Sequence, residues 1–121
     1  MCGIAGTIDF TRDVRELSDL PGRMAQALTR RGPDAEGTYQ DACALLVHRR
    51  LIVVDPEGGS QPMTSPDGNT VLVYNGELYN TDELRRALTD LGHRFRGHSD
   101  TEVVLHAYLA WGCEAFGKLN G

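Results

Sequence analysis

The first eight residues constrain the fold more than any other part of the chain. Residues 2–8 are mostly small or β-branched and are interrupted by Gly3 and Gly6, which predicts a short buried strand. A strand that begins almost at the first residue ties the N-terminus into a sheet. We therefore expect Cys2 to occupy a defined position in the fold, at the start of that strand.

The length and charge of the chain narrow the classes of protein that it can belong to. The 121 residues fit one domain, residues 1–121, because a second hydrophobic core would leave too little buried surface for either. A hydrophobic content of 40% is too high for a disordered chain, so the chain is expected to fold. A formal net charge of −5 and the lack of a basic run argue against nucleic acid as a partner. No apolar run approaches the length that spans a membrane, and the first residues lack the segments of a secretory signal.

Neither the cysteines nor the histidines have the spacing of a disulfide framework or a metal site. The cysteines include no Cys-x-x-Cys pair, so a reducing cytoplasm is the expected location. His98 and His106 would share a helix face with Glu102 only if the helix there began early, so we predict no metal site. The cysteines are Cys2, Cys43 and Cys113, and the histidines are His48, His93, His98 and His106.

The rest of the chain predicts a mixture of helices and strands, of the α+β class. Cap-forming side chains open two helices, one at Asn80 and one at Ser99, and a glycine closes each. A helix that begins near Pro21 precedes two short strands that are expected to pair as a hairpin. The predicted helices are residues 21–28, 80–91 and 99–111, and the predicted strands are residues 2–8, 37–40, 43–48 and 70–74.

Two segments rich in turn-forming residues predict a long loop and a turn at the end of the chain. Residues 55–69 are rich in Pro, Gly, Ser and Asp and predict a long loop, which in a compact domain is uncommon and often functional. Asn120-Gly121 is typical of a turn between two strands. We therefore expect a further strand to follow and the domain to be incomplete at the C-terminus.

Cys2 is the expected nucleophile because it directly follows the initiator Met1. The small side chain of Cys2 favours removal of Met1, which would free the α-amino group of Cys2. An α-amino group is basic enough to take the proton from a thiol, so one residue would supply both nucleophile and base. The alternative is that Cys2 is a small buried hydrophobic residue.

Five other residues could stabilise an oxyanion or bind the charged groups of a substrate. Asn75-Gly76 supplies a side-chain amide beside an unhindered backbone N–H, as an oxyanion hole requires, although the same dipeptide is the commonest hairpin signal. Arg50 can hold a carboxylate with two hydrogen bonds, and Asp100 and Glu77 can bind an ammonium group. Each charged residue, taken alone, could equally belong to the surface.

Seven short segments recur in an order that is typical of one protein family. They are Cys2-Gly3-Ile4-Ala5-Gly6, Arg31-Gly32-Pro33-Asp34, His48-Arg49-Arg50-Leu51, Asp55, Gln61-Pro62, Asn75-Gly76-Glu77-Leu78-Tyr79-Asn80 and Ser99-Asp100-Thr101-Glu102. Together they resemble the N-terminal glutaminase domain of asparagine synthetase, a class II glutamine amidotransferase. Amidotransferases that make phosphoribosylamine or glucosamine phosphate share the first and last segments, whereas the second and third indicate the asparagine synthetase branch.

The resemblance implies an N-terminal-nucleophile hydrolase fold, an αββα sandwich, that hydrolyses glutamine to glutamate and ammonia. It implies that Cys2 attacks the side-chain amide and forms a thioester, while Asn75 and the Gly76 N–H stabilise the tetrahedral intermediate. It assigns substrate binding to Arg50 for the α-carboxylate, to Asp100 with Glu77 for the α-amino group, and to Val53.

The resemblance also bears on cofactors and partners. No cofactor is expected for the glutaminase step, and ATP and Mg are expected only for the synthetase domain, normally in the same polypeptide, which has no counterpart here. The acceptor of the ammonia stays open between aspartate, a β-lactam precursor and another carboxylate, and a homodimer is one option for the oligomeric state. The alternatives are a non-catalytic remnant or regulatory binding module, and the glutaminase part of another class II amidotransferase.

Overall fold

The computed structural model describes residues 2–52 and 59–121, which form two antiparallel sheets and three α-helices. This mixture confirms the predicted α+β composition. The first sheet has the order β1-β3-β2. Its strands are β1 (Gly3–Ile8), β2 (Ala35–Gln40) and β3 (Ala44–Arg50).

The hairpin of β2 and β3 confirms the pairing that was predicted from local sequence. The carboxylate of Asp41 closes its turn by accepting the backbone N–H groups of Cys43, at 2.8 Å, and Ala44, at 2.7 Å. β1 pairs with the other edge of β3, with Gly3 opposite Arg49. This register brings the start of the chain to the end of β3.

Helix α1 (Leu20–Ala27) packs on one face of the first sheet, and Pro21 lies in its first turn as predicted. Leu45 and Val47 are fully buried on this side, in a cluster that includes Ala25 of α1. Because successive side chains of a strand point to opposite faces, His48 and Arg50 lie on the other face of β3.

The second sheet is a small hairpin of β4 (Met63–Thr64) and β5 (Val71–Leu72). Residues 55–58 of the predicted 55–69 loop lie outside the described residues. β4 lies within the rest of that loop and β5 covers only part of the predicted 70–74 strand, so both predictions need correction. Helices α2 (Thr81–Asp90) and α3 (Asp100–Trp111) share a core with Leu72 of β5. α3 has 12 residues, and no helix among the described residues is both long and apolar enough to cross a membrane.

The two predicted helix caps behave differently. The Ser99 hydroxyl accepts the Glu102 N–H at 3.3 Å, which confirms the cap of α3. Asn80 does not cap α2, so that prediction is wrong. Its amide instead donates to the Lys118 carbonyl at 2.9 Å and accepts the Asn120 N–H at 3.0 Å. An amide side chain offers both a donor and an acceptor, so it can pair with a backbone segment as a peptide group does.

Asn120-Gly121 was predicted to form a strand-joining turn. The strand that it would join would lie after residue 121, so the turn stays a prediction. Asn120 itself lies alongside the start of α2, where its carbonyl accepts the Tyr79 N–H at 2.7 Å. With the two bonds to Asn80, this contact holds the C-terminal residues beside α2, and Leu119 packs against the core that α2 and α3 share.

Candidate active site

Cys2 lies directly before β1 and is half-buried. Its sulfur is 3.4 Å from the backbone nitrogen of Leu51, which donates to it, and 3.7 Å from the Leu51 carbonyl oxygen. The Cys2 carbonyl accepts a hydrogen bond from Arg31 Nε at 3.1 Å. The thiol is therefore held at the end of the sheet, where a backbone N–H points at the atom that would become negatively charged.

Arg50 is the last residue of β3 and is 8% exposed. It lines a small recess together with His48, Ser60 and Gln61. A guanidinium in such a recess can bind a carboxylate through two parallel hydrogen bonds. Val53, the other substrate-binding residue predicted near Arg50, lies outside the described residues.

Asn75 and Gly76 follow β5 and precede α2, so the hairpin alternative for this dipeptide is wrong. Asn75 is half-buried, whereas Gly76 and Glu77 are exposed. Within residues 2–52 and 59–121, no hydrogen bond engages the Asn75 side-chain amide or the Gly76 N–H. Both donors that an oxyanion hole requires are therefore available to a ligand.

Asp100 is the first residue of α3 and is half-buried. Its Oδ2 accepts the Leu78 N–H at 3.1 Å, which orients the carboxylate toward the segment that carries Asn75. Burial raises the pKa of Tyr74, and the negative charges of Asp100 and then Glu77 raise it further. The negative charges of Asp100 and Glu77 are therefore both felt at Tyr74, and an ammonium group bound nearby would be attracted to both.

Gln61 connects the described parts of this site, although the sequence suggested no role for it. Its Oε1 accepts the Tyr74 N–H at 2.5 Å, and its Nε2 donates to Thr101 Oγ1 at 3.1 Å. Gln61 lies in an irregular segment where no periodicity marks a functional residue. The only sequence signal was its place in one of the segments typical of the family.

His48 is a second residue that the sequence left without a role. It is 1% exposed, and its Nε2 has no hydrogen-bond partner among the described residues. Burial lowers its pKa, a hydrogen bond to the Tyr74 backbone opposes this effect, and the charge of Arg50 lowers the pKa slightly further. The folded protein therefore favours the neutral imidazole at this position.

This lowered pKa predicts that the protein loses stability on mild acidification. Above the ordinary pKa of 6.5, His48 is neutral in both states and contributes no pH dependence. Below 6.5 the unfolded chain takes up the proton more readily, so the free energy of unfolding falls as the pH drops. Urea unfolding at pH 7.5, 6.5 and 5.5 should show this fall, and His48→Gln should make it smaller.

Burial also lowers the pKa of His106, so the free energy of unfolding of the His48 variant should still fall, by a smaller amount, as the pH drops. The aspartates with lowered pKa, such as Asp13 at about 2, titrate below this range and leave the comparison undisturbed. If the free energy of unfolding falls equally with pH in wild type and His48→Gln, His48 is not a source of the pH dependence.

Comparison with known proteins decides the family. The sequence profile described as "Glutamine amidotransferase domain" matches residues 1–121. This chain is a member of that family. The resemblance inferred from its seven segments is thereby confirmed.

Relatives of this glutamine amidotransferase domain include several asparagine synthetases. The chain is 45% identical over 123 residues to "Asparagine synthetase [glutamine-hydrolyzing] 3" of Bacillus subtilis. It is 38% identical over 121 residues to "Asparagine synthetase [glutamine-hydrolyzing] 1" of Arabidopsis thaliana, and 37% over 122 residues to a probable asparagine synthetase of Dictyostelium discoideum. Each alignment covers 100% of this chain but only 20%, 20% and 22% of the relative, respectively. The chain thus spans about a fifth of the length of these proteins.

The other histidines of this amidotransferase domain are His93, His98 and His106. α3 begins at Asp100, so His98 lies outside the helix and the condition for a shared face is not met. His106 instead contacts His93, with the two Nδ1 atoms 2.8 Å apart. Among the described residues, no group of three or more His, Cys, Asp or Glu side chains could hold a metal ion.

Proposed function

We propose that this chain hydrolyses glutamine to glutamate and ammonia, with Cys2 as the nucleophile. The observation that carries the proposal is the position of the Cys2 thiol in a member of the glutamine amidotransferase family. The thiol lies against Leu51 at the end of the sheet, and the buried Arg50 is the adjacent residue. In this proposal the thiol attacks the substrate amide while Arg50 holds the substrate carboxylate.

The proposal includes the N-terminal-nucleophile hydrolase fold. Two antiparallel sheets support it, with α1 packed on the first sheet and α3 in contact with β4 of the second. An αββα sandwich likewise contains two sheets with helices packed against them.

The first half of the reaction forms a thioester. Removal of Met1 frees the α-amino group of Cys2, which takes the proton from the thiol. The thiolate attacks the side-chain amide carbon of glutamine, and the carbonyl oxygen becomes an oxyanion that Asn75 and the Gly76 N–H stabilise. The intermediate then collapses as the C–N bond breaks, and the Cys2 ammonium gives its proton to the departing nitrogen, which leaves as ammonia.

The second half of the reaction hydrolyses the thioester. The Cys2 amine takes a proton from water as the water oxygen attacks the acyl carbon, and the same oxyanion donors act again. The C–S bond breaks, the sulfur recovers its proton, and glutamate leaves.

Charged side chains select the substrate in this proposal. Glutamine carries a carboxylate and an ammonium group at one end, and a site that distinguishes it from a simple amide needs both opposite charges. Arg50 binds the α-carboxylate, and Asp100 with help from Glu77 binds the α-amino group. Tyr74 supports the second assignment, since both carboxylates raise its pKa.

The ammonia would be used by an ATP-dependent synthetase domain, because three relatives are named glutamine-hydrolysing or probable asparagine synthetases. We propose aspartate as its acceptor on this ground. ATP and Mg would serve that domain alone, and the glutaminase step itself needs no cofactor. A reducing cytoplasm suits a mechanism that depends on a free thiol.

The test is to incubate the purified protein with glutamine and measure the release of glutamate and ammonia. A glutamine analogue with a diazoketone in place of the amide should label Cys2, as mass spectrometry of the peptides would reveal. Cys43 and Cys113 are exposed and serve as internal controls for non-specific alkylation. Absence of glutamate release, or labelling of the two control cysteines in place of Cys2, would contradict the proposal.

A further inference from the structure

We propose that Gln61 is a positioning residue that holds the oxyanion-stabilising segment in place relative to the substrate's ammonium site. This inference rests on the proposed function of Cys2, Asn75 and Asp100. Gln61 itself touches none of the reacting atoms in the proposed mechanism.

The side-chain amide of Gln61 makes two hydrogen bonds in opposite directions. The Tyr74 backbone nitrogen can only donate, so the atom that faces it at 2.5 Å must be the Gln61 oxygen. The amide nitrogen then necessarily faces Thr101 Oγ1, at 3.1 Å. Because a carboxamide is planar and rigid, these two bonds fix the distance between Tyr74 and Thr101.

Both partners of Gln61 are adjacent in sequence to proposed site residues. Tyr74 immediately precedes Asn75, and Thr101 immediately follows Asp100 in the first turn of α3. β5 ends at Leu72, so the Tyr74 N–H has no place in the β4–β5 ladder and Gln61 supplies its acceptor. The Gln61 amide therefore accepts the backbone hydrogen bond that a neighbouring strand would otherwise accept from the segment before Asn75.

The backbone of Gln61 also lies against the first sheet, at Gly37. Gly37 of β2 lies so close to the Gln61 carbonyl that any Cβ at position 37 would collide with it. Gly37 is paired with His48 of β3, on the side of the sheet where Arg50 lies. Gln61 thus hydrogen-bonds the segment before Asn75 and the start of α3, while its backbone lies close against the first sheet.

The expected effect of losing these bonds is a lower turnover with nearly unchanged binding. Gln61→Met keeps the length of the side chain but removes both hydrogen bonds. Deleting an oxyanion donor costs about 10²–10³-fold in kcat, and displacing the donors should cost less, about 10–100-fold. KM should change less than kcat, because the Leu78 N–H still orients Asp100 and the substitution keeps a side chain of the same length beside Arg50.

Thr101 provides a matched pair of variants. Thr101 is 3% exposed, and Thr101→Val preserves its shape while removing the hydroxyl that Gln61 contacts. It should lower kcat by about 3–10-fold, whereas Thr101→Ser keeps the hydroxyl and should retain wild-type turnover. Because both substitutions break the same bond, adding Thr101→Val to Gln61→Met should cause no further loss.

The experiment measures kcat, KM and the melting temperature for wild type, Gln61→Met, Thr101→Val, Thr101→Ser and the double variant. A fall in kcat without a matching change in KM, together with non-additivity, supports the positioning role. Wild-type turnover in both Gln61→Met and Thr101→Val would overturn it while leaving the proposed glutaminase intact. If Gln61→Met does not fold, equal kcat values in Thr101→Val and Thr101→Ser would overturn it. A wild-type protein without turnover would instead overturn the proposed function.

Discussion

Cys2→Ala should abolish glutamine hydrolysis and leave glutamine binding largely intact. The variant lacks the atom that forms the thioester, while Arg50 and Asp100 remain to hold the substrate. Removal of a covalent nucleophile from a protease can cost on the order of 10⁶-fold in kcat, so we expect a loss of at least about 10⁴-fold here. Glutamate release measures turnover, and calorimetric titration with glutamine measures binding.

Two further changes at the N-terminus separate the roles of the thiol and the amine. Cys2→Ser keeps a nucleophilic oxygen, but a hydroxyl is far less acidic than a thiol and should react much more slowly with the same weak base. A protein that retains Met1 keeps the thiol but has an amide in place of the basic amine, and it should also be inactive. Mass spectrometry of the intact protein establishes which N-terminus is present.

Cys43→Ala and Cys113→Ala are the matched controls, since both side chains are exposed. They should hydrolyse glutamine at the wild-type rate. Substantial activity in Cys2→Ala, or in a protein that demonstrably retains Met1, would contradict the proposed mechanism.

Arg50→Lys and Asp100→Asn should each raise the KM for glutamine by about 30-fold or more. Arg50→Lys keeps the positive charge but loses the planar group that forms two parallel hydrogen bonds with a carboxylate. Asp100→Asn removes the charge that pairs with the ammonium group. Truncating one partner of a buried charged pair costs about 2–5 kcal/mol, and 2 kcal/mol corresponds to about a 30-fold change.

The neighbouring residue Arg49 provides the control for Arg50. Arg49 donates to the Gly32 carbonyl at 2.8 Å and pairs with Glu36 at 2.7 Å, so it is engaged away from the proposed substrate. Arg49→Lys should therefore leave the KM for glutamine nearly unchanged. Unchanged kinetics in Arg50→Lys, or equal effects at both positions, would overturn the assignment of Arg50.

A shortened substrate tests Asp100 separately. A glutamine analogue without the α-amino group cannot use Asp100, so wild type and Asp100→Asn should hydrolyse it with similar KM values. If the substitution weakens this analogue as much as it weakens glutamine, Asp100 supports the structure and does not bind the ammonium group.

Local sequence determined a large part of this fold. The small and β-branched residues at the start of the chain predicted β1, and two consecutive strand-like segments, residues 37–40 and 43–48, predicted the hairpin of β2 and β3. Ser99 marked the start of α3, because a hydroxyl there can satisfy a backbone N–H of the first turn. Each of these signals acts between residues that are close in sequence, so the chain carries them without reference to the rest of the fold. The family was also evident from sequence, since its seven segments occur in a typical order.

Only the tertiary structure decided how distant segments are used. Asn80 has the side chain of a helix cap, but it binds Lys118 and Asn120, the latter 40 positions away. Gln61 reaches Thr101 across the same separation, and nothing in its irregular local sequence indicates that contact. A polar side chain binds whichever unpaired backbone or side-chain group the packed core brings to it. Propensity and periodicity carry no information about such partners, so the roles of Asn80 and Gln61 became visible only once the segments were packed together.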